Sequence, residues 1–242
     1  MKETPIIMSG DHPAKILAGV KTQTRRILAP QPEHSKFAEE YKDNRTVPYT
    51  IWQFSDSPIG TEHAGFTMVR CPYGRPGDRL YVREAGVLSL PYSPDQKGPW
   101  WTFKDGSQKK QAGSYWPTPN PRTDEWWKKQ NHKLTPSIHM PRWASRILLE
   151  IEAVRVERVQ AISEEDAVAE GILKKWDDSV KGLEGWHCIP GGFDTAVRAY
   201  AWLWDLINAK RDGGIYSWAK NPWVWALMFR RIDDSEASTL AD

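Results

Sequence analysis

The chain has 242 residues, with 33 Lys and Arg against 31 Asp and Glu and a formal net charge of +2. This near balance excludes a protein that coats nucleic acid by bulk electrostatics, although a local basic groove is compatible with it. The 2 Cys residues, Cys71 and Cys188, exclude a disulfide-stapled secreted scaffold. No N-terminal segment resembles a cleavable signal and no apolar run reaches membrane-spanning length, so we expect a cytoplasmic protein that does not engage a membrane.

The first 30 residues show the pattern of a strand, a short helix and a second strand. A strand is predicted from Pro5 to Met8, and a helix is predicted to begin at Pro13, where the fixed φ of proline favours the first helical turn. After Lys21 the pattern alternates with a period of two, which predicts a strand before Ala29-Pro30. The alternation places these side chains on one face: Thr22, Thr24 and Arg26.

Lys21 and Thr24 are a candidate general base and a candidate nucleophile. A lysine can take a hydroxyl proton when burial or neighbouring cations, here Arg25 and Arg26, lower its pKa. From the local pattern alone, a structural interpretation is favoured at this point. In it, the lysine complements a helix C-terminus and the threonines are present for their strand propensity.

The organisation of the chain indicates a single domain, 1–242, whose core is interrupted by two loop-rich insertions. The insertions, 31–65 and 91–135, mix Pro, Gly, charged and isolated aromatic residues without sustained periodicity. The core segments lie at about 4–30, 66–90, 136–173 and 193–232. Because compact domains seldom contain long structureless loops, we expect the insertions to be lids, binding loops or decorations.

The later core segments carry clear element signals. Strands are predicted at 79–84 and, most strongly, at 145–160. Ser163 followed by Asp166 resembles a capping box at the start of a helix that ends at Gly171. A longer helix is predicted over 193–210, and a strand over 222–232 has apolar residues on both faces, which is typical of a strand buried on both sides.

Several catalytic motifs are absent from the sequence. It contains no Walker-type phosphate loop, no dinucleotide fingerprint, no GxSxG elbow and no HExxH motif. Its Cys and His residues do not have the short paired spacings that structural zinc favours. We therefore expect no metal and no cofactor.

A loop that precedes the strongest strand carries a second group of candidate residues, and its members are His139, Arg142, Trp143 and Arg146. One interpretation is a structural crossover in which these side chains satisfy backbone carbonyls. The other is a binding rim in which the arginines position a phosphate and the tryptophan stacks on a base. Most of the 14 Trp residues are expected to pack the core, because large aromatic side chains dominate burial.

Residues 17–26 resemble the helix-to-strand Gly-x-Lys-Thr-x-Thr-x-Arg motif of the ASCH domain family, whose members are small barrels similar to the PUA domains that bind RNA. Residues 76–80, 163–172 and 223–232 resemble the family's Gly-Asp turn, acidic helix and last strand. Residues 71–74 and 139–146 are similar to the long variants of tailed-phage and prophage genomes. The resemblance implies an α+β fold, a PUA-like mixed β-barrel with flanking short helices.

One branch of this family removes the acetyl group from cytidine acetylated on its exocyclic amine, using a lysine, a threonine and a glutamate. The resemblance assigns these roles to Lys21, Thr24 and Glu170. On chemical grounds an arginine or a backbone amide would stabilise the developing oxyanion, and we expect Arg26 to be that charge partner. It implies a modified nucleoside or nucleic acid as partner, bound by a set of six residues: Arg25, Arg26, His139, Arg142, Trp143 and Arg146. Two alternatives stay open: a non-catalytic RNA- or DNA-binding module and a ribonuclease.

Overall fold

The computed structural model describes residues 1–8, 10–32, 37–40, 51–55, 66–89, 99–111, 134–177, 183–187 and 193–233. The chain divides into two compact units. The first unit comprises Met1–Lys2, Lys15–Asp78 and Glu150–Arg230, and the second comprises Glu3–Ala14, Arg79–Leu149 and Arg231–Asp242. The single domain expected over 1–242 stays a prediction. Cys188 and most of the second insertion lie outside the described residues.

Strands outnumber helices over the described residues, as expected for an α+β protein. The helices are α1 (His12–Leu17), α2 (Glu164–Ala169) and α3 (Ala196–Asn208). The strands are β1 (Glu3–Ile7), β2 (Gln23–Ile27), β3 (Phe37–Glu40), β4 (Ile51–Ser55), β5 (Phe66–Arg70), β6 (Arg79–Arg83), β7 (Gly86–Ser89), β8 (Trp100–Phe103), β9 (Gln108–Lys110), β10 (Leu134–Thr135), β11 (Leu148–Arg158), β12 (Leu173–Asp177), β13 (Leu183–His187) and β14 (Trp223–Ile232).

In the first unit, β14 lies between β11 and β2 and pairs antiparallel with β2. The register places Thr24 opposite Leu227 and Arg25 opposite Ala226. Seven of the ten β14 residues are buried, including its first five, which agrees with the predicted strand buried on both faces. The central strand therefore fixes the position of β2 and of the residues that flank it.

The helices α2 and α3 pack in one apolar core with strands of this unit. The Ser163 hydroxyl accepts a hydrogen bond from the Asp166 amide, which confirms the predicted cap of α2. An apolar core joins α2, α3 and the strands through these buried residues: Val159, Ile162, Ala167, Ile172, Ala196, Ala199, Tyr200, Trp204 and Val224. Burial of this apolar surface holds α2 against β2, and α2 carries the carboxylates that face the site.

The first predicted insertion contains strands. β3, β4 and β5 form an antiparallel three-stranded sheet within residues 37–70. A separate antiparallel hairpin joins β12 to β13. The sequence indicated loops in the first region because its strands are short and its polar residues obscure the period of two.

In the second unit, β1 pairs parallel with β6, and β10, β7, β8 and β9 form an antiparallel sheet in that order. Trp101 on β8 is fully buried with Phe103, Met140 and Ala144. Gly86 makes this packing possible, because a Cβ there would lie 2.2 Å from Trp101 Nε1. The second insertion therefore also contributes strands and a core residue.

The α+β class is confirmed, but the predicted barrel is not observed. In every sheet of the described residues the hydrogen-bonded order has two different end strands, so none of the sheets closes on itself. Within the described ranges, no helix is long and apolar enough to cross a membrane.

Candidate active site

Lys21 lies where the chain leaves α1 and enters β2. The amides of Val20 and Lys21 donate to the carbonyl of Lys15, and the amide of Thr22 donates to the carbonyl of Ala169 at 3.0 Å. These bonds hold the segment against the C-terminal end of α2. The Lys21 side chain is consequently 1 % exposed, although lysine is rarely buried without a partner.

Glu170 is the C-terminal cap of α2, and Gly171 follows it with φ +94°. This left-handed conformation is strained for a residue with a side chain. A Cβ at Gly171 would also lie 3.0 Å from Lys15 Cδ and 3.5 Å from Lys21 Cβ. Glycine therefore lets the chain turn immediately beside the Lys21 stem and brings Glu170 to it.

Lys21 and Glu170 form a buried pair across 149 residues of sequence. Lys21 Nζ donates to the Glu170 carbonyl oxygen and to Glu170 Oε2, each at 2.7 Å. The carbonyl is one of those that a helix end leaves without an intrahelical partner. These two acceptors satisfy both N–H groups of a neutral amine and leave its lone pair free to accept a proton.

The electrostatic surroundings favour the neutral form of Lys21 relative to a lysine in water. Burial lowers its pKa, and the positive charges of Arg26 and Lys15 act in the same direction. The Glu170 carboxylate opposes this shift. Because Arg25 Nη1 lies 3.4 Å from Glu170 Oε1, the carboxylate keeps a cationic partner when Lys21 is neutral.

Arg25 is the centre of a carboxylate network. Its side chain is fully buried. Its Nε donates to Glu157 Oε1 at 2.8 Å, its Nη2 donates to Asp166 Oδ2 at 2.7 Å, and its Nη1 donates to Gln23 Oε1 at 2.6 Å. The guanidinium also lies 5.9 Å from the centre of the Tyr200 ring. Arg25 was predicted to bind substrate, and that role stays a prediction; its described contacts are with Gln23, Glu157, Asp166 and Glu170.

Asp166 links this network to the surface. Its carboxylate accepts hydrogen bonds from Arg25, from Arg155 at 2.6 Å and from Gln23 at 3.1 Å. Burial by itself would raise the Asp166 pKa, but the hydrogen bonds from Arg155, Gln23 and Arg25 and the charge of Arg25 outweigh it and lower the pKa. The network was not predicted from the sequence, in which Asp166 was identified only as part of the cap.

Replacing Asp166 with Asn should lower the free energy of unfolding by about 2 kcal/mol at neutral pH, since hydrogen bonds to charged groups are lost or weakened. A carboxylate whose folded pKa is lowered contributes stability above its unfolded pKa and loses it as the pH falls through the folded value. The difference between wild type and Asp166→Asn, measured by urea unfolding, should therefore shrink below the ordinary aspartate pKa of 3.8. The exposed, ion-paired Asp194 provides a control, because Asp194→Asn should leave the urea midpoint unchanged. A difference that stays constant with pH would contradict the role of the charge.

Thr24 and Arg26 lie on the face of β2 opposite to Gln23 and Arg25, because side chains alternate along a strand. Thr24 is 4 % exposed. Among the hydrogen bonds of the described residues, none joins Thr24 Oγ1 to Lys21 Nζ. The structure thus brings Lys21 into contact with Glu170, whose carboxylate also meets Arg25, and places Thr24 and Arg26 together on the opposite face of β2.

The other predicted binding residues belong to the second unit. His139 is exposed in the turn Ser137–His139, and Trp143 packs against the Trp101 cluster. Arg146 is held by Glu84 at 2.8 Å and by Asp105 at 2.6 Å. Arg142 pairs with Glu3 at 2.7 Å. In the second unit, the described contacts of both arginines are therefore with carboxylates and aromatic rings, and Arg146 also donates to the Ser107 hydroxyl at 2.7 Å.

Among the described residues, no group of three or more His, Cys, Asp or Glu side chains is arranged to hold a metal ion. Comparisons with family models, with curated proteins and with solved structures gave no match. The similarity to the ASCH family therefore stays a prediction from the motifs.

Proposed function

We propose that the protein is an amidohydrolase that removes an acyl group from a modified nucleobase, in a free nucleoside or in a nucleic acid. The observation that supports this most strongly is the buried pair of Lys21 and Glu170, since burial lowers the lysine pKa and both N–H groups of its neutral form are satisfied. A site of this kind provides a lysine that loses its proton more readily than a lysine in water and can then act as a base. The acyl group that we expect the protein to remove is the acetyl group of cytidine acetylated on its exocyclic amine.

In the proposed reaction, Lys21 takes the hydroxyl proton of Thr24 and the Thr24 oxygen attacks the amide carbonyl. Arg26, which shares the strand face of Thr24, stabilises the negative charge on the carbonyl oxygen. The C–N bond then breaks, and Lys21 returns its proton to the departing amine. Water, again activated by Lys21, hydrolyses the Thr24 ester and releases the acid.

The proposed reaction requires the lone pair of Lys21 to reach the Thr24 hydroxyl. Both N–H groups of the neutral amine are directed to Glu170, so the lone pair must reach Thr24 through one bridging water or after rotation of the lysine side chain. Arg25, held by Glu157 and Asp166, keeps the Glu170 carboxylate in place during either event. Glu170 is thus proposed to orient the base.

The proposal extends to the fold. The order of a strand, α1 and the Lys21 motif, the capped acidic helix α2 and the closing strand β14 supports a PUA-like domain of the ASCH type, in which sheet elements surround a nucleobase pocket. The non-catalytic RNA- or DNA-binding module is the second candidate. In that case the same residues would form a groove whose affinity falls steeply with salt, because phosphate contacts release counterions.

The test is to incubate the purified protein with a panel of acylated nucleosides, and with a short RNA and a short DNA that contain acetylcytidine, and to measure turnover of each. We expect deacylation of at least one substrate, which gives the unmodified nucleoside or nucleic acid and the free acid, at a rate lost in Thr24→Val. If no substrate is hydrolysed faster than by Thr24→Val, the amidohydrolase is excluded. Binding of the unmodified RNA with a steep salt dependence and no turnover would then select the binding module.

A further inference from the structure

Arg79, at the start of β6 in the second unit, is a buried arginine whose Nε lacks a hydrogen-bonding partner in the part of the chain that the structure describes. The residue is 5 % exposed. Its Nε is buried without a hydrogen bond, and no ion pair or hydrogen bond recorded for the described residues involves its guanidinium. An unpaired buried charge is costly, and proteins normally pair such a group. Arg79 therefore has unused capacity for an anion.

The residues around Arg79 form a cationic face. Arg79, Tyr81 and Arg83 alternate along β6 and so project from the same face of the sheet. The parallel register with β1 places Glu3 beside Arg79. The charge of Arg79 contributes to lowering the Glu3 pKa, after a larger contribution from the hydrogen bond of Arg142.

Tyr81 lies between two further guanidinium groups. The Arg142 Cζ atom lies 5.0 Å from the centre of the Tyr81 ring, and that of Arg83 lies 5.5 Å from it. Arg83 donates to the Ile138 carbonyl at 3.0 Å and to the Tyr81 hydroxyl at 3.3 Å. Arg83 is thus held by ring, hydroxyl and backbone contacts, and Arg142 lies over the same ring as a cation–π pair.

The charges on this face do not balance. Arg142 binds Glu3 through Nε at 2.7 Å and Nη2 at 3.1 Å, so the three arginines face one carboxylate from β1. Arg146, in the same unit, is paired by contrast with two carboxylates, Glu84 and Asp105. The face of Arg79, Arg83 and Arg142 has a surplus of positive charge beside an aromatic ring.

We propose that Arg79, with Arg142 and Arg83 around Tyr81, binds a phosphate group carried by a nucleotide or by a polynucleotide. The planar donor fork of arginine matches phosphate oxygens, and a phosphate would supply the partner that Arg79 lacks. Tyr81 offers its ring edge to the attached sugar or base. This site is independent of Lys21 and of the proposed hydrolysis.

The experiment is calorimetric titration of the full-length protein with inorganic phosphate, cytidine 5′-monophosphate, cytidine and a short single-stranded RNA. We expect binding of the three phosphate-bearing ligands and none of cytidine at this site. Arg79→Gln should weaken phosphate binding at least about tenfold, because a charge-assisted bidentate contact is lost. Arg198→Gln, which removes an exposed and ion-paired charge, should leave the affinity at the wild-type value.

The two sources of the phosphate differ in their salt dependence. Affinity for the RNA far above that for the monophosphate, falling steeply with salt, identifies a polynucleotide, whereas equal affinities identify a nucleotide. Equal phosphate affinity in wild type and Arg79→Gln would overturn the site. If Arg79→Gln does not fold, Arg142→Gln, at an exposed side chain, replaces it, and an unchanged affinity in that variant also overturns the proposal.

Discussion

Replacing Lys21 with Met or Thr24 with Val should lower kcat/KM for an acylated nucleoside by roughly a thousandfold or more, because the base or the nucleophile is lost. The two variants should be about equally inactive, and the double variant should be little worse than either, since the two groups act as a unit. Thr24→Ser, which keeps a hydroxyl, should retain measurable turnover. Initial rates of nucleoside deacylation give kcat/KM for the two single variants, the double variant and Thr24→Ser.

Thr22 provides the matched control for Thr24. It is exposed and lies two residues away, and its recorded hydrogen bonds are backbone bonds, donated to the Ala169 carbonyl and accepted from the Phe229 amide, which a side-chain change leaves in place. Thr22→Val should therefore keep the wild-type kcat/KM. If Thr22→Val and Thr24→Val lose activity to the same extent, the threonines matter for the fold of the segment and the nucleophile is misassigned.

Replacing Arg25 with Met should destabilise the protein by roughly 3–5 kcal/mol, the cost of removing one partner from a buried ionic group. The variant would leave Glu157, Asp166 and Glu170 without the buried cation that they share. Urea unfolding at neutral pH measures the loss. A loss of this size would show that the ion pairs of Arg25 hold the C-terminal end of α2 against β2.

Arg155→Met is the control for Arg25→Met, because Arg155 contacts Asp166 and Glu157 from the surface and its side chain is 43 % exposed. Solvent screens such a pair, so the expected loss is about 1 kcal/mol or less. Equal losses in the two variants would show that burial of Arg25 does not make it the centre of the network.

The local elements of the site were predictable from the sequence. The change of period after Lys21 indicated β2, Ser163 and Asp166 indicated the cap of α2, and the double-sided apolar pattern indicated β14. These features depend on residues close together in the chain. Capping and alternation are therefore visible in the pattern alone.

The carboxylate network was not predictable in the same way. Glu157 and Asp166 meet Arg25 only because packing brings α2 and β11 to β2, more than 130 residues away in sequence. Glu170 was identified through the resemblance to the ASCH family, and its contact with Lys21 agrees with that assignment. The signal that was available for the network is the alternation of Gln23 and Arg25 on one face, which shows that two polar side chains need partners on the same side.

The strands within the insertions and the closure of a barrel could not be predicted from local sequence patterns. β4 and β8 are short strands in regions rich in Pro, Gly and charge, and their pairing depends on partners rather than on intrinsic pattern. Closure of a sheet depends on the tilt and stagger of all its strands, which no local motif encodes. The α+β class was therefore predictable from the sequence, whereas the PUA-like barrel stays a prediction, since no sheet of the described residues closes on itself.

The most direct test of the central claim is to look for the acyl group on Thr24. The purified protein is mixed with an acylated nucleoside, quenched in acid within the first turnover and digested, and the peptides are mapped by mass spectrometry. The proposed reaction predicts the mass of one acyl group on Thr24, absent in Thr24→Val and in Lys21→Met. If Thr24→Val deacylates the nucleoside at the wild-type rate, and the wild-type protein gives no acylated peptide, the proposed role of Thr24 is contradicted.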